Sequence, residues 1–392
     1  MRTPVILVAG QGDTEGIVDE LLRRSGTLAV RHRYDGHVVL RSTHTVDHGV
    51  PTVTETALEL AHGCTSCTIR NDLLILLRRL HQRDDVTRIV VHLAPWLEPE
   101  PICWAVRHVR VSAPGFVDGP AARDVAITAV ITCVEEFTWL QQALGDDDLA
   151  DGRTVAQVVV GQAEFADVLL CRTADPELPA VLRRLSPRAE IIDDARAVEV
   201  AVASLPSGAR RGRSSCPHDP LLDGQPPLEP AGRVSLVEFY ARRPFHPGRL
   251  DAALGLLLEG VVRTRGRMWL ANNIIEAMWL ETAGGGWRAT SAGKWLAAMD
   301  TSELAYVAPE RRALADVGWD RVHGDRHTAL TALVCGADPD EIFAALSCAL
   351  LTDAEMDNPG EWSDYGDPFE GWSETDCTTD DLVSSGEDGD HR

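Results

Sequence analysis

PVILVAGQGDTEGIV, at residues 4–18, begins with an unbroken apolar run, turns through closely spaced glycines and resumes with an apolar period. The run from Pro4 to Ala9 predicts a buried strand, and the later period predicts a helix from about Thr14 to Arg24. Further short apolar strands, with helical stretches between them, are predicted at 27–32, 89–93, 125–133 and 168–171. Strands that alternate with helices indicate an α/β fold built on a doubly wound, mostly parallel sheet.

The second half of the chain has a different pattern. Residues 206–231 are rich in Pro, Gly and Ser and lack a sustained apolar period, which is typical of a linker and ends the first domain at 205. Strand-like and helical segments mix from 232 to 357 and predict a second, smaller α+β domain of ferredoxin-like type. Residues 358–392 are acidic and rich in Gly, Ser and Thr, so we expect a partly disordered tail.

Charge and composition narrow the function classes. The net charge of −23 opposes sequence-specific binding to nucleic acid, so contact with an RNA particle would run through protein. The apolar runs are far shorter than the roughly 20 residues that span a membrane, and the N-terminus does not resemble a signal peptide. Nine scattered cysteines fit reduced thiols. We therefore expect a cytoplasmic protein with no membrane contact.

The first loop lacks residues that a phosphate site needs. A loop of the form G-x-x-x-x-G-K-[ST] uses glycines for close approach of the backbone, a Lys for the phosphate charge and a Ser or Thr for Mg²⁺. Counted from Gly10, the Lys position holds Gly16 and the hydroxyl position holds Ile17. One inserted residue brings Gly16 into register, but Ile17 and Val18 then replace the Lys and the hydroxyl. The cation and the metal ligand are missing in either alignment.

Two carboxylates in the same loop make phosphate binding less favourable still. Asp13 and Glu15 stand where a triphosphate would lie, and each repels a phosphate charge at contact by about 1 kcal/mol even in water. We therefore expect GTP neither to bind nor to be hydrolysed, and Gly10, Gly12 and Gly16 to be remnants of a degenerate nucleotide site. The loop alone leaves open an unrelated strand–helix turn.

Cys64 and Cys67 form a C-x-x-C pair ahead of an apolar helical period. Two cysteines at this spacing can bind one zinc ion at about 2.3 Å, and a helix N-terminus stabilises thiolates. Asn71 is a good N-cap, which predicts a helix over 72–81. Tetrahedral zinc needs further ligands, and His62 is the nearest candidate in the sequence. Two ordinary buried cysteines and a thiol-redox site are the alternatives.

Three more distant histidines could complete a metal site. His44 and His48 are spaced as one helical turn, and the fold could also bring His92 close to the cysteines. The sequence does not decide among them.

The segment ELAHGCTSCTIRNDL, at 59–73, resembles the signature of the CobW-like GTPases, in which Gly-Cys-x-Cys-Cys precedes Thr-x-Arg-x-Asp-Leu. Resemblance to the CobW C-terminal domain is carried by residues 241–250, 266–271, 283–285, 324–327, 344–355 and 367–369. The resemblance implies a P-loop-NTPase-like first domain and a CobW C-terminal domain. It also implies metallochaperone-like handling of zinc, cobalt or nickel with GTP.

This sequence departs from the family pattern at several nucleotide elements together. Residues 92–95 replace a Glu-x-x-Gly motif, residues 172–175 retain only Asp175 of Asn-Lys-x-Asp, and residues 32–34 replace Asn-Glu-Phe. The middle cysteine of the metal motif is Ser66. These departures favour a pseudo-GTPase that retains zinc as its cofactor.

This sequence has lost residues of the nucleotide site and has kept the C-terminal domain. In this combination it most resembles the actinobacterial branch of the family. That resemblance implies a zinc-responsive adaptor that recruits a hibernation factor to the small ribosomal subunit when zinc is scarce. The alternative is a GTP-dependent zinc metallochaperone.

Overall fold

The computed structural model describes residues 1–47, 50–61, 64–112 and 114–369. Two large sheets organise this part of the chain. The strands are β1 Thr3–Gly10, β2 Thr27–Tyr34, β3 Val39–Asp47, β4 Val50–Leu58, β5 Arg88–His92, β6 Arg110–Val111, β7 Gly119–Pro120, β8 Val125–Cys133, β9 Val168–Leu170, β10 Glu190–Ile192, β11 Val234–Ala241, β12 Val261–Leu270, β13 Asn273–Ala283, β14 Gly286–Lys294 and β15 Thr328–Cys335. The helices are α1 Thr14–Leu22, α2 Thr65–His81, α3 Pro99–His108, α4 Trp139–Ala143, α5 Val155–Glu164, α6 Glu177–Leu185, α7 Val198–Ser204, α8 Pro247–Leu254, α9 Thr301–Ala305, α10 Pro309–Val317, α11 Pro339–Ala349 and α12 Asp353–Met356.

The first sheet has eight strands in the order β10-β9-β8-β1-β5-β2-β3-β4. All pairs from β10 to β2 are parallel, and β3 and β4 add an antiparallel hairpin at one edge. Apolar residues of α2 pack on one face of this sheet and those of α1 on the other. Helices on both faces bury the central strands completely, which explains their continuous apolar runs. The doubly wound fold is confirmed.

The second sheet is antiparallel and has the order β11-β15-β12-β13-β14. Its buried face packs with α8 and α11 around a core that includes Phe245, Leu250 and Leu346. This is the α+β unit expected from the second half of the sequence. The extents of the two domains remain a prediction.

Residues 206–231, called the strap below, contain neither a helix nor an extended strand, although all of them are described. Arginines of both halves of the chain donate hydrogen bonds to its backbone carbonyls. These contacts are Arg107 to Arg211 and Gly212, Arg184 to Glu229, Arg265 to Leu221, and Arg267 to Pro217 and Asp219. The predicted linker is therefore held against both units.

A buried ion cluster joins the two units directly. Glu164 at the end of α5 pairs with Arg263 at 2.9 Å and with Arg265, both on β12. Burial raises the pKa of Glu164, but the two guanidiniums outweigh this effect and hold the pKa below its usual value.

Within the described residues, the model contains no helix that is both long enough and apolar enough to cross a membrane.

Candidate functional site

The glycine-rich loop lies at the carboxyl end of β1, beside the carboxyl end of β8. Gly10 has φ +113°, and a Cβ there would come within 2.1 Å of the Cys133 carbonyl oxygen. A Cβ at Gly12 would come within 2.6 Å of the Val134 carbonyl oxygen. Both glycines are thus required for close packing of the loop on β8. Close packing on β8 therefore explains why glycine is needed at both positions, and phosphate binding is not required to explain it.

The loop uses its own backbone donors internally. The amides of Gln11 and Gly12 donate to the Cys133 carbonyl at 3.1 and 2.9 Å. The Gly16 amide donates to the Asp13 carboxylate at 2.9 Å, which makes Asp13 the N-cap of α1. Phosphate loops direct such amides at the ligand. In this chain, the three amides already have acceptors.

The side chain of Gln11 forms hydrogen bonds with residues outside the loop. Its Nε2 donates to the Pro95 carbonyl and to Oε1 of Gln162, each at 2.9 Å. Gln162 is fully buried and donates in turn to the carbonyls of Pro95 and Leu97. This chain of amides ties the loop to the segment after β5. Nothing in the sequence singled out Gln162.

The start of α1 is also bound to β2 and β5. Glu15 forms an ion pair with Arg31 on β2, and the Thr14 hydroxyl lies 2.9 Å from Nε2 of His92 at the end of β5. Burial lowers the pKa of His92; Arg31 and His44 lower it further, and Glu15 opposes them. His92, a candidate zinc ligand from the sequence, is therefore neutral near pH 7 and is engaged with α1.

The cysteine pair lies at the N-terminus of α2. The expectation that Asn71 caps a helix at 72–81 is wrong, because α2 begins at Thr65 with Cys64 as its N-cap. The Cys64 sulfur accepts a hydrogen bond from the Cys67 amide at 3.2 Å. The Thr68 hydroxyl donates to the Cys64 carbonyl and accepts from the Ala61 amide, both at 2.8 Å. These bonds link Ala61 and Cys64 to the first turn of the helix.

Asp72 anchors α2 to the hairpin side of the sheet. Its carboxylate lies 2.8 Å from Nε2 of His32 on β2 and accepts from Arg41 on β3 at 2.6 Å. Asp72 belongs to the quoted signature, but sequence reasoning gave it no partner. His32, one of the residues that replace Asn-Glu-Phe, here supports the position of the cysteine helix.

Of the other histidine candidates, His44 is described and does not complete a metal site among the described residues. His44 lies on strand β3, not on a helix, and its Nε2 is 3.0 Å from the Ser42 hydroxyl. His48 and His62 lie outside the described residues. Among the residues that are described, no group of three or more His, Cys, Asp or Glu side chains could hold a metal ion. Cys64 and Cys67 are thus a pair of candidate ligands that needs others.

Comparison with known proteins identifies the family. A model of the CobW/HypB/UreG nucleotide-binding domain matches residues 30–196, and a model of the cobalamin synthesis protein cobW C-terminal domain matches residues 234–350. The zinc chaperone Rv0106 of Mycobacterium tuberculosis is 62% identical over 96% of this chain and 95% of its own length. The chain belongs to the CobW family. The nucleotide-binding match begins at residue 30, after the loop that contains Gly10, Gly12 and Gly16.

Two more distant matches also mention zinc in their descriptions. The zinc-regulated GTPase metalloprotein activator 1 of Dictyostelium discoideum is 24% identical over 77% of this chain and 67% of its own length. The Zn(II)-bound YjiA GTPase from E. coli aligns with 90% of this chain and 100% of its own at 15% identity. Its TM-score of 0.38 is too low to support a structural argument.

Proposed function

We propose that this CobW-family protein is a zinc chaperone that carries zinc as cargo on Cys64 and Cys67. The observation that carries the proposal is the cysteine pair at the first turn of α2, where the helix N-terminus stabilises thiolates. The 62% identical relative named a zinc chaperone supports this choice of metal. These comparisons favour zinc delivery over the ribosomal adaptor role.

The chemistry of the pair suits a transferable ion. Structural zinc sites have four protein ligands in a closed tetrahedron, whereas the described residues offer the two sulfur ligands of Cys64 and Cys67 and no group of three or more. We propose His62 as a third ligand, which leaves at least one position for water or for a ligand from the receiving protein. An open position allows the receiving protein to displace zinc by ligand exchange.

Zinc titration of the purified chain tests this proposal. The double variant Cys64→Ala and Cys67→Ala should lose one equivalent of bound zinc, and His62→Ala should retain that equivalent with weaker affinity. Cys216→Ala and Cys348→Ala replace two exposed cysteines elsewhere and serve as the control. Equal zinc stoichiometry in the Cys64/Cys67 variant and the wild type would contradict the assignment.

We further infer that zinc carriage does not require GTP. The support is that three amides of the loop already have acceptors within the protein. The Gly16 amide donates to Asp13, and the amides of Gln11 and Gly12 donate to the Cys133 carbonyl on β8. No Mg²⁺-dependent binding of GTP is expected in equilibrium dialysis of the purified protein. Tight, Mg²⁺-dependent binding would instead establish the GTP-dependent metallochaperone, the alternative considered from the sequence.

A role in ribosome hibernation is a second proposal. It rests on the resemblance to the actinobacterial branch and on a net charge of −23, which suits a basic protein partner. Its partners would be a hibernation factor and the small ribosomal subunit. Sedimentation of lysates from zinc-depleted and zinc-replete cells tests it. If deletion leaves hibernation-factor occupancy unchanged and the protein is absent from ribosomal fractions, the proposal fails.

A further inference from the structure

The outer edge of the eight-stranded sheet is a long and regular strand. β4 pairs with β3 at nine consecutive positions, from Val39 opposite Leu58 to Asp47 opposite Val50, without a bulge. Residues 50–57 are all exposed, including Val50 at 63% and Val53 at 56%. Its outer side therefore presents a row of backbone N–H and C=O groups that no strand of the described residues pairs with.

The other edges of the two large sheets carry more protection than β4. Soluble proteins protect edges by short strands, cations, prolines, bulges or covering helices. β10 has three residues, β14 carries Arg288 and Lys294 beside a bulge, and β11 packs against α6 and α11. In β4 the sole charged residue is Glu55, and Pro51 near one end is the sole interruption. Such an edge favours pairing with another strand.

The sequence of β4 complements itself in the antiparallel direction. When two copies pair about Thr54, all nine residues of each strand have a partner. Val50 then faces Leu58 of the second copy, and Thr52 faces Thr56. Glu55 faces Val53 instead of its own counterpart. Thr–Thr and apolar cross-strand pairs are favourable, and like charges directly opposite each other are avoided.

We propose that β4 is a dimerisation edge, on which a second copy of this chain pairs in antiparallel fashion with Thr54 on the two-fold axis. The pairing joins two eight-stranded sheets into one continuous sheet and is isologous, as closed dimers require. One strand pair is a small interface, so the dimer is weak and reversible. This inference is independent of zinc binding.

The register also predicts how charge affects the dimer. The two Glu55 side chains are diagonal neighbours across the new strand pair, about 7–8 Å apart. Their mutual repulsion opposes association and is screened by salt. Glu55→Gln should therefore tighten the dimer roughly two- to five-fold. Higher salt should tighten the wild-type dimer more than the variant dimer, because the net negative charge of the chain opposes association in both.

Sedimentation velocity over a range of concentrations tests the proposal with the full-length protein, under reducing conditions and with a zinc chelator. The wild type should show a concentration-dependent monomer–dimer equilibrium. Val53→Lys and Val53→Pro should each weaken the dimer by about ten-fold or more, since one adds a cation to the edge and the other removes a backbone donor from the outer side of β4. Circular dichroism checks that both variants fold.

Ser291→Lys on β14 is the matched control, because it adds the same cation to an exposed position on the edge of the second sheet. It should leave association unchanged. A wild type that stays monomeric at all concentrations overturns the proposal. It does so even if β4 pairs with a strand of a different protein. Equal dimerisation of the wild type, Val53→Lys and Val53→Pro also overturns it.

Discussion

At the scale of single residues, Asp13 occupies the position of an anion at the N-terminus of α1. Its carboxylate accepts from the Gly16 amide, and a Cβ at Gly16 would approach that carboxylate to 2.4 Å. A helix N-terminus attracts negative charge through its unpaired amides and its dipole. A side chain of the loop thus performs the electrostatic role that a phosphate performs in a nucleotide-binding loop. The loop can remain ordered without a ligand.

Asp13→Ala tests this role of the carboxylate. Loss of an N-cap acceptor should lower the free energy of unfolding by about 1 kcal/mol, measured by urea denaturation. GTP binding should not appear, because the amides of Gln11 and Gly12 remain bonded to the Cys133 carbonyl. Asp19→Ala removes an exposed carboxylate from the same helix and is the control. Equal stability losses in the two variants would refute the capping role.

Ser66 is the single-residue difference that should limit zinc affinity. It is exposed in the first turn of α2, between the two cysteines, at the position that holds a cysteine in the family signature. Ser66→Cys adds a third thiolate, so we expect at least about ten-fold tighter zinc binding in chelator competition. Thr65→Cys is the comparison, since it adds a thiol one position away. A larger gain for Thr65→Cys would contradict this placement of the metal.

At the scale of secondary-structure elements, the apolar runs predicted the buried strands well. β1, β5 and β8 lie where continuous runs were seen, because strands covered on both faces require apolar side chains at every position. The β3–β4 hairpin was missed for the opposite reason. Residues 50–57 are exposed on both faces of the sheet, so they lack the apolar run or alternation that marks a buried strand in the sequence. Burial, rather than strand formation itself, is what the pattern detects.

The start of α2 was missed for a local chemical reason. Thr65, Ser66, Cys67 and Thr68 are weak helix formers, and a cysteine is not among the usual N-cap residues. The Cys64 sulfur and the Thr68 hydroxyl nevertheless supply the cap. The cysteine pair was predictable from its spacing. Its link through Asp72 to two sheet strands was not, because those contacts join residues 31 and 40 positions apart.

Thr68→Val tests how the helix start supports the cysteines. Valine keeps the shape but leaves the Ala61 amide and one acceptor site of the Cys64 carbonyl without the hydroxyl. We expect a stability loss of roughly 1–3 kcal/mol and weaker zinc binding, because the hydrogen bonds that link Ala61 and Cys64 to Thr68 are lost. Urea denaturation and zinc titration measure the two effects. Unchanged zinc affinity in a destabilised variant would separate the cap from the metal site.

The strap contributes a pH dependence of its own. Nε2 of His218 donates to the Ala292 carbonyl at 2.9 Å, and burial, with help from Arg311, lowers the pKa of His218 to about 4. Between these two pKa values, the unfolded chain, with an ordinary histidine pKa near 6.5, binds a proton at His218 and the folded chain does not. Stability should therefore fall as the pH drops from about 6.5 towards 4.

His218→Gln removes this titration and keeps a donor for the Ala292 carbonyl. The melting temperature of the variant should depend less steeply on pH between about 4 and 6.5 than that of the wild type. His37→Gln, which replaces an exposed histidine at the turn between β2 and β3, is the control. Parallel pH profiles for His218→Gln and the wild type would exclude this contribution of the strap.

At the scale of the whole molecule, the two sheets are coupled through buried charge. Glu164 of the first unit faces Arg263 and Arg265 of the second, and its side chain is 10% exposed. Removal of one partner from such a cluster leaves guanidiniums buried without compensation. A second ion pair between the units, Glu177 with Arg233, is more open, since the arginine side chain is 65% exposed. Solvent screening makes such an exposed pair worth little.

These two pairs provide a matched test of interdomain coupling. At pH 7, Glu164→Gln should lower the free energy of unfolding by roughly 2–4 kcal/mol, whereas Glu177→Gln should change it by less than about 1 kcal/mol. Because the folded pKa of Glu164 is depressed, its contribution is present above the ordinary glutamate pKa and is lost as the pH falls through the folded value. The difference between Glu164→Gln and the wild type should therefore shrink in acid. If the cluster holds the units together, Glu164→Gln should also split one calorimetric transition into two. Equal losses of stability in Glu164→Gln and Glu177→Gln would place the coupling elsewhere.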